Sequence, residues 1–372
     1  MKRFRLRLFL PIVSILAVGC DADPPRGQSQ GSSQKEMNET SEPASDQPRE
    51  LVDVPSEAVE EPVSPPQKQE QQGITIVDDH KELTPEEEKL FYAPAGPAPD
   101  GLLGLVTHSN RKYRINALNR LTEKHGEDPK VIDLLVKIMS DKTHPVRFTT
   151  FGIVDIQAEY GRFEVPEEML TPIIAGVNEK QDDDSKAFRI RTYAIDLAGY
   201  FPDNPAIVKL APSLATRALE FDDEGFASIR TLGKLGQETT LFDLYTKFKD
   251  DSISRAAVAS AMASLEKPNE KVVEILLKEC SSDEHSGMDK DDLMKALGEA
   301  RPTSDAVVEL LKKFAKDDSG SVCDGAVEGL GAVDPSFAEA VIPTLEAIAN
   351  DPDPSSLEKY TAKKALDLIR GR

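Results

Sequence analysis

The hydrophobic pattern of the chain repeats at a near-constant interval from residue 102 to residue 372. In each of eight copies, the residue seven places after a fixed anchor is apolar, and in seven copies the residue three places after it is small or β-branched. The anchors lie 30 to 44 residues apart, with a mean spacing of 35. They are Arg114, Arg147, Arg191, Gly225, Arg255, Lys290, Cys323 and Lys359. Eight copies at this period predict a repeat architecture.

Each copy predicts a pair of helices. Offsets three and seven share one helical face, so they form a buried stripe in which small residues let neighbouring helices approach closely. Six copies carry a helix-capping residue four places before the anchor: Asn110, Thr143, Asp251, Ser286, Ser319 and Ser355. Another apolar segment precedes each capped helix, as in "DPKVIDLLVKIM", and predicts the second helix. Three of these segments contain an internal proline: Pro172, Pro212 and Pro343.

The internal prolines and the segments "HPVRFTTFGIV", "FRIRTYAIDLAG" and "SISRAAVASAMASL" resemble HEAT repeats. The resemblance implies an all-α fold, a right-handed α-solenoid of about eight HEAT-like helix pairs over residues 102–372. A tetratricopeptide array has a similar period, but its tryptophan signature is absent and the chain has no Trp. The glycines of "DSGSVCDGAVEGLGAVDP" fall into the same repeat frame, so they are predicted to be packing positions and a helix end rather than a phosphate loop.

The first nineteen residues predict a targeting segment. "MKRFRLR" precedes the apolar run "LFLPIVSILAVG", which is shorter than the roughly 20 residues that span a bilayer. "LAVGC" follows and resembles the lipobox of bacterial lipoproteins, with Ala17 where Leu is commonest. The resemblance implies cleavage before Cys20, lipid attachment to Cys20, and a periplasm-facing position on the inner or outer membrane. An ordinary secretory signal that leaves a free protein is the alternative.

Residues 20–83 predict a disordered linker, because this acidic stretch is rich in Pro, Ser, Gln and Glu and nearly free of aromatic residues. Residues 84–101 predict a short capping helix and a loop, with Thr84 and Glu87 forming a capping box. Residues 101–150 carry nine basic and five acidic groups, and we expect this end to lie near anionic lipid or the acidic linker. Ordinary scatter of surface charge is the alternative.

The charge of the chain limits its partners. Its 66 acidic and 45 basic residues give a net charge of −21, which argues against nucleic acid, since phosphates are bound by excess Lys and Arg. The same charge favours a cationic protein or peptide.

The candidate chemistry is sparse. Arg114, Arg147, Arg191, Arg255 and Lys290 form a basic ladder that either grips an acidic ligand on the concave face or bonds neighbouring carboxylates and carbonyls, as the matching arginines do in HEAT proteins. The five histidines are never three or four residues apart, so the sequence predicts no metal site. No nucleophile elbow, phosphate loop or Cys–His motif is present. A disulfide between Cys280 and Cys323 is left open.

These features predict a non-catalytic, membrane-tethered scaffold without a cofactor, which binds a protein or peptide along its concave surface. HEAT-like proteins include chromophore lyases, so the resemblance keeps open an enzyme or cofactor-binding protein with a pocket between repeats. A purely structural envelope protein is the third alternative.

The lipobox generates a direct prediction. Cys20→Ser removes the only side chain that can carry the lipid, so we expect it to abolish lipid labelling and to release the protein from membranes into the soluble fraction. Metabolic labelling with a fatty acid and membrane fractionation measure both. Unchanged membrane attachment of the variant contradicts the prediction.

Overall fold

The computed structural model describes residues 84–92, 99–180, 185–220, 222–266, 268–285, 287–302, 304–317, 319–352 and 356–371. The predicted signal segment 1–19, Cys20 and the linker 20–83 lie outside the described residues, as do Ser286 and Ser355. Within the described part, none of the helices is both long enough and apolar enough to cross a membrane.

The described residues form an α-solenoid of helix pairs. In chain order the helices are α1 (Pro85–Tyr92), α2 (Pro99–Leu105), α3 (Arg111–His125), α4 (Pro129–Ser140), α5 (Arg147–Glu159), α6 (Leu170–Val177), α7 (Ser185–Ala198), α8 (Pro205–Val208), α9 (Ala211–Arg217), α10 (Asp223–Lys234), α11 (Glu238–Lys247), α12 (Ser252–Met262), α13 (Glu270–Ser281), α14 (Gly287–Glu299), α15 (Asp305–Phe314), α16 (Gly320–Ala332), α17 (Ala338–Asn350) and α18 (Ser356–Arg370). The repeat anchors lie on α3, α5, α7, α10, α12, α14, α16 and α18, which we call the inner helices. The predicted eight-pair array is confirmed, and its first outer helix, α2, begins at Pro99.

The inner helices form one continuous layer. Each contacts the next inner helix along the chain, and these contacts are more extensive than those between successive outer helices. The side chains at offsets three and seven are all buried, from Ala117 and Leu121 in α3 to Ala362 and Leu366 in α18. The buried stripe predicted from the sequence is therefore the contact surface of the inner layer.

Glycines set the closest approach between α14 and α16. A Cβ on Gly298 would overlap the carbonyl oxygen of Gly329, and a Cβ on Gly329 would lie 2.5 Å from the carbonyl oxygen of Met294. A Cβ on Gly331 would lie 2.8 Å from the Cβ of Ala365 in α18. Gly325, Gly329 and Gly331 of the C-terminal stretch are therefore packing positions, as predicted, whereas Gly320 at the start of α16 is exposed.

Several predicted helix starts are confirmed. Asn110 and Asp251 cap α3 and α12, with side chains that accept hydrogen bonds from backbone N–H groups two and three residues later. Ser319 is the N-cap of α16, although its side chain makes no capping bond. Thr84 and Glu87 form the predicted capping box before α1, since the backbone N–H of each bonds the side chain of the other, at 2.8 and 3.3 Å.

The predicted start at Thr143 is wrong. The helix α5 begins after Val146, and the Thr143 hydroxyl and backbone N–H instead donate to the carboxylate of Asp141. The cause is Pro145, because proline disfavours helical backbone in the residue before it. The cap of α10 is also displaced by one residue from the position that the repeat frame predicts, four places before the anchor Gly225. Asp222 caps this helix, and its side chain accepts a hydrogen bond from the N–H of Gly225 at 2.8 Å.

The internal prolines have three different effects on the outer helices. Pro172 lies in the first turn of α6, where its missing N–H costs nothing. Pro212 follows a break that separates α8 from α9, whereas Pro343 lies inside the continuous α17. In all three repeats the inner helix still packs against its neighbouring inner helices. The inner layer therefore tolerates irregular outer helices.

The glycine contact predicts a sharp stability effect. Gly298→Ala should lower the free energy of unfolding by about 1–3 kcal/mol, because the added methyl group overlaps the backbone of α16. Urea denaturation followed by circular dichroism measures the change. Gly104→Ala in α2 is the matched control: nothing lies within 4 Å of its added Cβ, so it should be neutral or slightly stabilising. Equal effects of the two variants contradict this account of the contact.

Candidate functional site: a groove across the inner helices

Three residues of the basic ladder predicted from the sequence make contacts between repeats: Arg147, Arg191 and Arg255. Arg147 donates from Nη1 and Nη2 to Oε1 and Oε2 of Glu179, at 2.8 and 2.6 Å, and from Nε to the carbonyl of Met139 at 2.8 Å. Arg191 donates from Nε to Glu224 Oε1 at 2.7 Å. Both arginines are buried. Each therefore ties its inner helix to the chain about one repeat further on.

Arg255 belongs to a buried polar cluster around Glu279. The Glu279 carboxylate is completely buried and accepts hydrogen bonds from Arg255 Nε at 2.9 Å and from the Tyr245 hydroxyl. His285 Nε2 lies 2.7 Å from the same carboxylate. Burial alone would raise the pKa of Glu279, but the bonds from Tyr245, Arg255 and His285 hold it below its usual value. The cluster joins α11, α12 and α13 with the loop before α14.

The first and last residues of the ladder, Arg114 and Lys290, also contact other groups of the protein. Arg114 donates from Nη1 to the carbonyl oxygens of His108 and Ser109, at 2.7 and 2.6 Å. The ammonium group of Lys290 lies 5.1 Å from the ring centroid of Phe314. None of the five ladder residues lines the groove described next.

A groove of about 960 Å³ crosses the inner layer from α5 to α14. Seven acidic and four basic side chains line it, a net charge of −3, together with aromatic and small residues. Drug-sized ligands and short peptide segments occupy clefts of this volume. The groove is therefore the candidate functional site.

Many of the groove residues fall in two columns of the repeat frame that sequence reasoning did not use. Offsets five and nine lie one helical turn apart, on the helical face roughly opposite the buried stripe. The groove residues in these columns include Asp196 on α7 and Tyr200 just after it, Arg230 and Lys234 on α10, Ser260 on α12 and Ser264 just after it, and Lys295 and Glu299 on α14. Scanning the columns on the face opposite the stripe, rather than the anchor column, would have found them.

Most cations of the groove already have a partner. Arg230 donates from Nε and Nη2 to the Asp196 carboxylate, at 3.1 and 2.8 Å. The ammonium group of Lys234 lies 4.6 Å from the ring centroid of Tyr200. On α14, Lys295 pairs with Glu328 of the next repeat at 2.9 Å. The positive charges are thus engaged locally and do not neutralise the whole lining.

Asp155 on α5 is a buried groove residue that, unlike Arg230 and Lys295, is not in direct contact with an oppositely charged group among the described residues. Its side chain is 9% exposed, and no hydrogen bond or ion pair joins it to another residue that the structure describes. Burial raises the pKa of Asp155 well above its usual value, and the nearby charge of Asp196 raises it further. Burial and the negative charge of Asp155 also raise the pKa of Tyr193 on α7. Asp155 is therefore a buried carboxylate without a countercharge in direct contact.

The floor of the groove is formed by small residues of α12. Ala257, Ser260 and Ala261 line it between the charged walls of α10 and α14. The Ser260 hydroxyl is inaccessible to solvent and has no hydrogen-bond partner among the residues that the structure describes. At the N-terminal end of α12, Ile253 lines the groove with 54% of its side chain exposed. This floor offers room and apolar contact rather than charge.

The cysteines lie apart from the groove. Cys280 and Cys323 are free and buried, so they form no disulfide in this structure. Burial raises the pKa of each thiol to about 12, which keeps both thiols neutral at physiological pH. In the described part of the chain, no three His, Cys, Asp or Glu side chains are grouped so as to hold a metal ion.

The environment of Asp155 predicts a pH-dependent stability effect. A carboxyl whose pKa is raised on folding costs stability as pH rises from its unfolded value near 4 through its folded value. Asp196 and Glu159 raise the pKa of Asp155 further, whereas the cations Lys234 and Arg230 lower it. Asp155→Asn removes the cost, so we expect it to raise the free energy of unfolding at pH 8 by about 1–3 kcal/mol.

The gain should be smaller at pH 5.5, where Asp155 is more often protonated. Urea denaturation at both pH values measures it, with Asp243→Asn on the exposed face of α11 as the control. A destabilised Asp155→Asn variant at pH 8 would show that the carboxylate has a stabilising partner, contrary to the geometry.

Comparisons with known proteins show low similarity. No protein-family model matches the chain, and no curated protein matches it. Among solved structures, it is similar to the complex of CpcE and CpcF of phycocyanin lyase from Nostoc sp. PCC7120, with 16% identity, a TM-score of 0.44, and coverage of 74% of this chain and 97% of that one. It is also similar to an engineered protein (15%, 0.27, 74% and 100%) and to computationally designed armadillo repeat proteins for modular peptide recognition (14%, 0.21, 73% and 99%). These likenesses carry no information about what the chain binds.

Proposed function

We propose that this protein is a non-catalytic scaffold that holds a protein or peptide partner in the groove across its inner helices. The observation that carries the proposal is the groove itself, which runs over five consecutive inner helices and combines charged walls with a floor of small residues. A helical repeat array presents extended concave surfaces of this kind to a partner chain.

The proposal includes a membrane tether. Lipid attachment at Cys20 and the linker 20–83 would hold the array on the periplasmic side of a bacterial envelope membrane. A linker of about 64 flexible residues has a root-mean-square reach of roughly 45 Å. The array could therefore meet partners that are not themselves in the membrane.

Groove blocking tests the proposal. Ala257→Arg places a long side chain on the groove floor, so we expect loss of the partner when the variant protein is captured from its own envelope and co-purifying proteins are identified by mass spectrometry. Ser264→Arg, at an exposed groove position, is a second blocking variant with less risk to folding. Thr239→Arg, exposed on the outer helix α11, is the matched control and should keep the partner.

Two results would contradict the proposal. One is recovery of a bound small molecule with no stoichiometric protein partner from the unchanged protein. The other is an unchanged set of partners in both groove variants, with circular dichroism showing that both are folded. Either result favours a different role for the groove.

A further inference from the structure

We propose that Asp155 binds a basic side chain, lysine or arginine, of the partner segment in the groove. This inference rests on the proposed function, and it names the chemistry that the site recognises. It gives Asp155 the specific role of selecting a positive charge at the α5 end of the groove.

The first argument is the unsatisfied state of Asp155. A buried carboxylate is costly unless it is paired or hydrogen-bonded, yet Asp155 has neither partner within the described residues, and its side chain lines the groove. The chain does satisfy the comparable carboxylate of Asp196, which is 8% exposed and paired with Arg230. The two carboxylates face the same cavity, and only one has its countercharge in place.

The second argument concerns the cations closest to Asp155. Arg230 and Lys234 both act on it electrostatically, but Arg230 is bonded to Asp196 and Lys234 lies over the ring of Tyr200. Glu159, one helical turn further along α5, is exposed and adds a second negative charge on the same side of the groove. An incoming cation therefore meets two carboxylates rather than an existing ion pair.

The third argument is the aromatic wall. Tyr193 on α7, Tyr200 just after α7, and Phe226 on α10 are partly buried and line the groove. Aromatic faces attract ammonium and guanidinium groups, and the chain already uses this contact between Lys234 and Tyr200. Carboxylates beside aromatic rings suit a lysine or arginine side chain, whose stem packs on the rings while its charged end reaches the acid.

A peptide fits this groove better than a small free cation. The cavity continues from Asp155 across the α12 floor to Asp292 on α14, an exposed carboxylate that has no hydrogen bond or ion pair to another described residue. Ile253 lies at its edge, and Met288, the equivalent residue on the next inner helix, is 77% exposed. Apolar Ile253 at the edge and acids along the groove match an extended segment with basic and apolar residues.

The test uses the mature chain from residue 20, with Cys20→Ser so that it can be handled without lipid. The probe is a 13-residue peptide of Ala, Ser and Gly with one central arginine. Its twin carries citrulline, a neutral isostere of arginine, at the same place. Isothermal titration calorimetry gives the dissociation constants of both peptides for the protein that keeps Asp155, here called the Asp155 protein. The same measurement is made for the Asp155→Asn, Asp155→Glu and Asp243→Asn variants.

We expect the Asp155 protein to bind the arginine peptide about 10- to 100-fold more tightly than the citrulline twin, which is the range for losing one charge-assisted hydrogen bond. Asp155→Asn should remove this preference without weakening the citrulline twin, Asp155→Glu should keep much of it, and Asp243→Asn should leave it unchanged. Because Asp155→Asn is expected to raise stability, its loss of binding cannot come from unfolding.

Three outcomes would overturn the inference: equal binding of the two peptides, an unchanged preference in Asp155→Asn, or no arginine-dependent binding at millimolar peptide. These outcomes are separable from failure of the proposed function. If Ala257→Arg abolishes partner capture while Asp155→Asn keeps both capture and the preference for arginine, the groove binds a partner through other residues.

Discussion

Contact between consecutive inner helices is the constraint on which the remaining structure depends. Small side chains at offset three, and glycines between α14 and α16, let these helices lie closer together than the outer helices do. A two-layer array with a tighter inner layer curves toward that layer. The side chains on the face roughly opposite the buried stripe, which includes offsets five and nine, are thereby brought toward one another over the concave face, which is how five helices come to line one groove.

Buried ion pairs fix how the repeats stack on this layer. Arg147 with Glu179, Arg191 with Glu224, and Arg255 with Glu279 each join an inner helix to chain about one repeat away. Removing one partner of such a pair leaves a buried charge uncompensated, which typically costs about 3–5 kcal/mol. The pairs thus hold the alignment of the repeats, and the candidate groove is lined by other columns of the frame.

Most of the fold could be predicted from the sequence because the repeat frame is a local property. The stripe at offsets three and seven, the caps at Asn110 and Asp251, and the eight helix pairs depend on spacing along the chain, and spacing is visible in the sequence. The start of α5 was misplaced because a capping residue at Thr143 suggested a helix that Pro145 prevents. There the immediate neighbour mattered more than the repeat frame.

Less of the candidate site could be predicted from the sequence. Some of its residues recur at offsets five and nine, so a search of every column would have identified part of the lining, although Asp155 lies at offset eight. The state of Asp155 could not be predicted, because it depends on whether Arg230 and Lys234 turn toward Asp155 or toward Asp196 and Tyr200. That choice among side-chain orientations is decided in three dimensions, between residues about 40 to 80 positions apart in the sequence.

The two buried cysteines give the array internal reporters of its own opening. Cys280 ends an outer helix and Cys323 lies in the first turn of the inner helix of the following repeat. A thiol reagent reaches either sulfur only when the surrounding helices separate. The two modification rates, measured in the same molecule, therefore compare the opening of adjacent repeats directly. Rates that rise together under mild denaturant would mean that the interface between these repeats is stronger than the repeats themselves, and rates that rise separately would mean that the array opens one pair at a time.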